Sequence, residues 1–391
     1  MQTKTRVIRL IIALLIALFS FSCGLFQKNT NQRNANTSAP KPARWVAQYR
    51  SPLSTGITGN ALPENFFYSS ISVISPSIVY VAGDMLNPKT KDGRVGVIVH
   101  TTDGGQNWAE TILEQPNMMV DAMNALHFIN AEEGWTVGID TGQLGIMFKT
   151  ADGGKTWEFL RLSAKQSPTS LFFADSNTGW MGGSTPPTDG DADTGGPSDI
   201  LGTTDGGRTW SSQMRVPVSI YDIFFIDKTT GWAAGSKGAI YHTTDGGRSW
   251  NSQRSELELG DGPTVLSSEG SKLFKVYGIH FVNAQTGYAV ASAEEETTGR
   301  VLGTSNGGET WAKQRIVGDA GARDILFVSP NEGWVLTDKG QYIYHTVDGN
   351  RTWLAEPRVF EQDVQQVRLG AADSGHVWAV GGGAIFFRVS D

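Results

Sequence analysis

The chain has 391 residues, of which 39% are hydrophobic and 18% charged, and its 39 acidic residues outnumber its 32 lysines and arginines to give a formal net charge of −7. This mild acidity excludes the basic footprint that is typical of nucleic-acid-binding proteins. The 47 glycines and 12 tryptophans favour many short strands joined by tight turns over a helical fold.

The chain begins with the pattern of an export signal. Three basic residues, Lys4, Arg6 and Arg9, precede the apolar run 10–19. That run is shorter than the roughly 20 apolar residues that a membrane-spanning helix needs. The pattern therefore predicts a secretory signal over residues 1–22.

Cys23 is the only cysteine in the chain, so the sequence excludes an internal disulfide. Its place at the end of the signal, after the small Ser22, favours a bacterial lipobox in which Cys23 is acylated; the alternative is a chance cysteine in a cleaved peptide. Acylation predicts an exported protein that is lipid-anchored on the periplasmic or lumenal side of a bacterial membrane. The polar, aperiodic residues 23–43 predict a flexible tether.

Two phrases recur along the rest of the chain. The first is a turn of the form S/T-x-D-x-G-x-x-W, as in "TTDGGRSW". Its acidic or amide residue and its tryptophan are Asp103 and Trp108, Asp152 and Trp157, Asp205 and Trp210, Asp245 and Trp250, Asn306 and Trp311, and Asp348 and Trp353. The second phrase, as in "TTGWAAG", follows a short apolar strand such as "DIFFID" and occurs seven times, 44 to 56 residues apart.

One unit therefore contains four predicted strands, A to D, with the first phrase as the turn between C and D. Seven such units predict an all-β, seven-bladed β-propeller of four-stranded antiparallel blades over residues 44–391, with strand A innermost. The C–D turn needs a residue in the left-handed region, which glycine supplies in five copies and Asn350 in the sixth. Six copies of one turn indicate a structural device rather than six active sites.

The seventh unit ends in "AIFFRVSD", which aligns with strand C and is followed by no strand D. The segment "RWVAQYR" at 44–50 precedes the first strand A, and Trp45 stands where a turn tryptophan would be. We therefore expect 44–50 to complete the last blade as its strand D by pairing with 384–389. This pairing would protect the C-strand edge from aggregation.

The turn is the Asp-box, or BNR, repeat. Together with the "GWxxG" phrase and the lipobox-like signal, it resembles the photosystem II assembly/stability factors of cyanobacteria and plastids, or a non-photosynthetic bacterial relative, over about residues 44–391. The resemblance implies a non-enzymatic scaffold that docks on a membrane protein or its precursor. We expect a monomer without a cofactor and without a nucleic-acid partner. Because sialidases and xyloglucanases share the Asp-box, a carbohydrate-active propeller is the alternative.

The longest insertions lie in the D–A and B–C connections, which share one face of a propeller. Variable loops on a rigid scaffold favour partner binding, so we expect the protein partner on this loop-rich face. Acidic side chains in blades 3 to 5 would favour cationic partners there. They are Asp189, Asp191, Asp193, Glu256, Glu258, Asp261, Glu294, Glu295 and Glu296. The arginine-rich patch that the family carries has no obvious counterpart in the sequence.

A calcium-loop pattern occurs within the blade 3 insertion. Asp189, Asp191 and Asp193 occupy its positions 1, 3 and 5. Thr194 and Ile200 replace the glycine and glutamate that the pattern requires at positions 6 and 12. The sequence therefore leaves open a calcium site or a solvated acidic loop.

Aligning the seven A strands places one residue of each at the mouth of the central channel: Ser70, Ala125, Ser170, Asp222, Gly278, Asp324 and Gln366. Asp222 and Asp324, beside Tyr221, Tyr277 and Arg323, are the candidate binding residues. In a carbohydrate-active propeller the two aspartates would be the catalytic carboxylate pair; the structural alternative is that they cap strands. All six histidines occupy repeat positions, which disfavours Ser-His-Asp and zinc chemistry.

Overall fold

A computed structural model describes residues 43–51, 66–87, 89, 93–116, 118–163, 166–185, 196–255, 274–293, 299–315, 321–337, 342–359 and 367–390. These residues form strands and turns, with a 3₁₀ turn at Ser236–Gly238 and no α-helix among them. Within these ranges no helix has the length and apolar character needed to cross a membrane. The all-β prediction is confirmed.

Strand β1 spans Arg44–Arg50, and the strands that follow pair in antiparallel groups, called blades here. Blade 1 contains β2 (Phe66–Val73), β3 (Val79–Leu86), β4 (Arg94–Thr101) and β5 (Ala109–Leu113). Blade 2 contains β6 (Val120–Phe128), β7 (Gly134–Asp140), β8 (Gly145–Thr150) and β9 (Glu158–Arg161). Blade 3 contains β10 (Ser167–Phe173), β11 (Gly179–Ser184), β12 (Ser198–Thr203) and β13 (Ser211–Val216).

Blade 4 contains β14 (Ile220–Phe225), β15 (Gly231–Gly235), β16 (Ile240–Thr243) and β17 (Asn251–Ser252), and is followed by β18 (Arg254–Ser255). Blade 5 contains β19 (Phe274–Phe281), β20 (Gly287–Ala293), β21 (Arg300–Thr304) and β22 (Thr310–Arg315). Blade 6 contains β23 (Ala322–Phe327), β24 (Gly333–Thr337), β25 (Ile343–Thr346) and β26 (Leu354–Ala355). Blade 7 contains β27 (Arg368–Asp373), β28 (His376–Gly381), β29 (Ala384–Val389) and β1.

The strands of each blade pair in the order A to D, and the A strands of neighbouring blades lie side by side around a central channel. Pairing of Arg94 with Val120 joins the sheets of blades 1 and 2, and β18 pairs in parallel with β22. The propeller prediction is confirmed. Each A strand begins on the loop-rich face, so residues near its start reach the channel mouth on that face.

Aromatic side chains fill the junctions between blades. The Trp232 ring of blade 4 stacks on Phe281 of blade 5 with centroids 3.4 Å apart, and Trp311 meets Phe281 edge-on at 5.7 Å. The same trio of B-strand aromatic residue, A-strand phenylalanine and turn tryptophan seals the junctions from blade 1 to blade 6. Stacked and edge-on rings are the favoured aromatic geometries. These contacts explain why both phrases carry an aromatic residue.

The Asp-box turns satisfy their own polar groups. In blade 4, the Thr243 hydroxyl donates to Asp245 Oδ1 at 2.9 Å and accepts from the Gly247 N–H at 2.9 Å. Hydrogen bonds from Ser249 to this carboxylate lower the pKa of Asp245 to about 2. Gly247 has φ 85° and Asn350 of blade 6 has φ 72°, so the predicted left-handed residues are present.

The N-terminal strand closes the ring as predicted. Strand β1 pairs antiparallel with β29 from Arg44 opposite Val389 to Arg50 opposite Ala384. Gln48 accepts a hydrogen bond from Trp378 Nε1 at 3.0 Å and donates to the Gly104 carbonyl of blade 1 at 3.2 Å. The first strand of the chain thus links blade 7 to blade 1.

Candidate functional site at the channel mouth

The strand register identifies one ring of equivalent residues near the channel mouth. Each ring residue precedes the B-strand aromatic residue of its own blade by ten positions, as Asp222 precedes Trp232 and Asp324 precedes Trp334. In blade 7 the same register selects Arg368, which lies ten positions before Trp378. The sequence alignment that placed Gln366 in this ring was therefore wrong, and Gln366 lies outside the described residues.

Polar residues of this ring accept hydrogen bonds from the backbone of the next blade. Ser70 Oγ accepts from the Leu126 N–H at 3.0 Å. Asp222 Oδ2 accepts from the Ile279 N–H at 2.9 Å, and Asp324 Oδ2 accepts from the Leu369 N–H at 2.7 Å. The aspartates thus do the same work as the ring serine and hold neighbouring A strands together.

The remaining carboxylate oxygens of the two aspartates also have partners. Asp222 Oδ1 accepts from the Ile223 N–H at 2.9 Å and from Ser170 Oγ at 3.2 Å. Asp324 Oδ1 accepts from the Ile325 N–H at 2.9 Å. All four oxygens are therefore engaged by the protein itself, which favours the strand-capping role over a catalytic carboxylate pair.

The environment of both aspartates favours their neutral form. Burial and, to a smaller extent, the nearby Asp324 carboxylate raise the pKa of Asp222 to about 6, against the opposing effects of the Ile279 N–H and of Arg368. Burial likewise raises the pKa of Asp324, against the charge of Arg368. Desolvation and a like charge act in the same direction on a carboxyl group. Arg368 is the cation that limits the cost of placing two carboxylates at one channel.

A β-bulge lies directly before the ring residue in blades 1 to 6. The unpaired bulge residues are Ser69, Asn124, Thr169, Tyr221, Tyr277 and Arg323. Bulges redirect a side chain and are common at barrel rims and active sites. Here they turn six side chains toward the channel mouth, one from each of blades 1 to 6.

The bulge residues of blades 1 to 3 bind the backbone of the next blade. Ser69 Oγ donates to the Met123 carbonyl, Asn124 Nδ2 donates to the Pro168 carbonyl at 2.7 Å, and Thr169 Oγ1 donates to the Ile220 carbonyl. These small polar side chains therefore connect neighbouring A strands.

The bulge residues of blades 4 to 6 form a stack instead. The Tyr221 and Tyr277 rings stack with centroids 5.4 Å apart, and the Arg323 guanidinium lies 4.0 Å from the centroid of Tyr277. Such aromatic and cation–π contacts stabilise the three side chains in one arrangement. The Tyr221 hydroxyl also bonds to Ser236, and the three side chains together line the channel mouth.

These side chains line a cavity of about 450 Å³ at the channel mouth. Its wall contains the six bulge residues together with Arg368, Ile139, Ser167 and Ser184. The cavity lies on the loop-rich face, where the sequence predicted partner binding. The cavity wall brings together Tyr221, Tyr277 and Arg323. Beside them lie Asp222 and Asp324, whose carboxylates accept hydrogen bonds from the backbone of the next blade. The sequence analysis did not identify Arg368 as a cavity residue.

Basic side chains lie at the channel mouth. Arg323 and Arg368 line the cavity, and the charge of Lys275 acts on Tyr221. The acidic loop residues, which include the calcium candidates Asp189, Asp191 and Asp193, lie outside the described residues. Within the described ranges, no three His, Cys, Asp or Glu side chains are grouped to hold a metal ion.

Residues 92–182 match the family described as "Photosynthesis system II assembly factor YCF48". No curated protein sequence matches the chain. A solved structure described as "YCF48 bound to D1 peptide" is similar, with a TM-score of 0.59 and 17% identity over 90% of this chain and 99% of that one. YCF48 from Cyanidioschyzon merolae has a TM-score of 0.58 and 18% identity over 88% of this chain and 98% of that one.

A GH74 xyloglucanase from Xanthomonas campestris shares the fold as well, with a TM-score of 0.56 and 11% identity over 88% of this chain and 53% of that one. Identities this low establish the fold alone. With the family match over 92–182, they identify the chain as a β-propeller that resembles the photosystem II assembly factors.

Proposed function

We propose that this protein is a non-enzymatic scaffold that binds an extramembrane segment of a membrane protein, or of its precursor, at the cavity on the loop-rich face. The proposal depends on the difference between the bulge residues of blades 1 to 3 and those of blades 4 to 6. Blades 1 to 3 place small polar side chains there, whereas blades 4 to 6 line the cavity with the stack of Tyr221, Tyr277 and Arg323 beside Arg368. Tyrosine and arginine are the residues most often found to dominate protein-binding energy.

The comparisons support a protein partner. The similar structure of YCF48 contains a D1 peptide, and this chain shares its fold and part of its family pattern. The two cavity arginines favour a partner segment that carries negative charge. In this proposal the partner segment enters the mouth and contacts the exposed edges of the Tyr221–Tyr277–Arg323 stack.

The test is a binding titration with fluorescently labelled peptides. The full-length protein is titrated with the D1 peptide and with an array of extramembrane segments from membrane proteins, and binding is read by fluorescence anisotropy. We expect Arg323→Ala to weaken binding at least about tenfold, as for a central interface arginine. The melting temperature of the variant should stay near that of the wild type, because the Arg323 side chain is only half-buried and lies at one end of the stack.

The matched control is Arg215→Ala. Arg215 pairs with Asp199 at 2.6 Å on the outer strand of blade 3, is largely exposed, and is not among the residues that line the cavity. Its loss should leave peptide binding unchanged. Equal binding by the wild type and Arg323→Ala would contradict the cavity as the binding site. Hydrolysis of xyloglucan oligosaccharides that Asp324→Asn abolishes would instead establish the carbohydrate-active alternative.

We further propose that a lipid on Cys23 holds the scaffold at the membrane surface, on the periplasmic or lumenal side. The apolar run before it is too short to span a bilayer, so the acyl chains would be the main anchor. Cys23→Ser is expected to move the processed protein from the membrane to the soluble fraction, as measured by fractionation and immunoblotting. Retention of the processed variant on membranes in high salt would refute the lipid anchor.

A further inference from the structure

The junction between blades 6 and 7 differs from the five aromatic junctions before it. Ala371 occupies the position that phenylalanine takes at the end of the A strands of blades 2 to 6, so the trio is incomplete. Trp135, Trp180 and Trp232 each donate their Nε1–H to a glycine carbonyl of the next Asp-box. Trp334 Nε1 is buried without such a partner, because strands from opposite ends of the chain meet where an Asp-box turn would lie.

Charged side chains cover Trp334 instead. The Arg388 guanidinium lies 5.4 Å from its ring centroid. Arg388 Nε donates to Glu356 Oε1 at 2.7 Å, and Trp45 Nε1 donates to Glu356 Oε2 at 2.8 Å. Glu356 is only 9% exposed. One buried carboxylate of blade 6 therefore holds both terminal strands, β1 through Trp45 and β29 through Arg388.

His345 of β25 lies beside this carboxylate. Its ring stacks on Trp334 with centroids 4.7 Å apart. Nε2 lies 3.2 Å from Glu332 Oε1, while Nδ1 lies 3.5 Å from Arg388 Nη2 and 3.6 Å from Glu356 Oε1. A neutral ring that donates from Nε2 to Glu332 leaves Nδ1 as an acceptor for Arg388.

A proton on Nδ1 changes these interactions. The imidazolium would repel the Arg388 guanidinium and compete with it for Glu356 Oε1. Burial, and after it Arg388, lower the pKa of His345, although Glu356 and Glu332 act in the opposite direction. The neutral ring is thus the form that fits the closed junction.

We propose that the junction between blades 6 and 7 is an acid-sensitive latch, in which protonation of His345 displaces Arg388 from Glu356 and loosens β1 and β29 from blade 6. Since the fold favours the neutral ring, the latch is fully closed above about pH 6.5, the ordinary pKa of histidine, and weakens as the pH falls below it. Acid would therefore open the ring at the strand that follows the predicted tether.

Hydrogen–deuterium exchange of the full-length protein at pH 7.0 and 5.5 tests the latch. After correction for the intrinsic effect of pH on exchange, protection of β1 and β29 should fall by up to about tenfold relative to β12 of blade 3. His345→Gln, whose amide still donates to Glu332, should abolish this relative loss. The matched control is His242→Gln, because His242 stacks on Trp232 at 4.8 Å in blade 4 and should leave the wild-type response at β1 and β29 intact.

Equal relative loss in the wild type and His345→Gln, or no loss in the wild type, would overturn the latch. Glu356→Gln provides a second test if His345→Gln does not fold. It installs the side chain that Gln253 provides at the equivalent place in blade 4, where that residue donates to the Gly307 carbonyl at 3.3 Å. This variant should show weaker protection of β1 and β29 already at pH 7.0 and no further relative loss at pH 5.5. A retained response to pH would also refute the proposal.

Discussion

Deletion of residues 44–50 is expected to lower the free energy of unfolding by about 5 kcal/mol or more. The deletion removes the whole β1–β29 ladder and the side chains of Trp45 and Tyr49, which pack on two neighbouring cores. It also removes the hydrogen bonds that Gln48 makes to Gly104 and Trp378. Such a loss is comparable to the entire stability of many domains. Urea unfolding followed by tryptophan fluorescence measures the effect.

The matched control is deletion of residues 28–40 within the predicted tether. That deletion should leave the melting temperature almost unchanged, because the segment is polar and aperiodic. Negligible effects of both deletions would disprove the role of β1 in closing the ring. A large effect of the 28–40 deletion alone would disprove the tether.

Acidification should destabilise the propeller through two partly buried histidines of the inner strands, His127 and His280. Burial lowers the pKa of His127 and that of His280 to about 4. His127 Nε2 lies 3.0 Å from the Phe173 carbonyl of blade 3 and donates to it when the ring is neutral. A depressed histidine pKa gives stability that is complete above about pH 6.5 and is lost as the pH falls toward 4. Each histidine accounts for about 3 kcal/mol of that loss.

The variants His127→Gln and His280→Gln isolate this effect. Asp222 acts in the opposite direction, because its raised pKa of about 6 makes the fold more stable as the pH falls through that value, so only differences between variants are informative. Urea unfolding at pH 7.0, 5.5 and 4.0 should show each variant losing about 3 kcal/mol less than the wild type. The two effects should add, since the histidines lie in different junctions. A double variant with the wild-type pH profile would exclude the histidines as the cause.

The repeated phrases were sufficient to predict the all-β propeller and the position of β1. Both follow from side chains that every unit needs, namely the stacked aromatic residues and the left-handed turn residues. Blade 7 was misaligned at its inner strand because Ala371 replaces the phenylalanine that anchors the pattern in blades 2 to 6. The constant ten-residue spacing to the B-strand aromatic residue, here Trp378, would have identified Arg368.

The cavity at the channel mouth was harder to predict. The bulge residues share no side-chain type, since Ser69, Tyr221 and Arg323 occupy equivalent positions, so a bulge leaves no signature in one sequence. Arg323 and Arg368 are also 45 residues apart in the chain and meet only because blades 6 and 7 are neighbours. The two arginines at the mouth are therefore brought together by the arrangement of the blades, whereas the acidic insertions are visible as runs in the sequence.

The bulge in each inner strand also bears on how such a protein evolves. A bulge residue stands outside the strand ladder, so replacing its side chain leaves the pairing of its neighbours intact. When a blade is duplicated, the new copy brings its own bulge and with it one more position open to selection. In this chain the positions at Tyr221, Tyr277 and Arg323 carry large side chains that stack on one another and line the cavity, while those at Ser69, Asn124 and Thr169 carry small side chains that bind the backbone of the next blade. If the cavity binds a partner as proposed, substitutions that adapt it to another partner are accordingly expected at the bulge positions of blades 4 to 6.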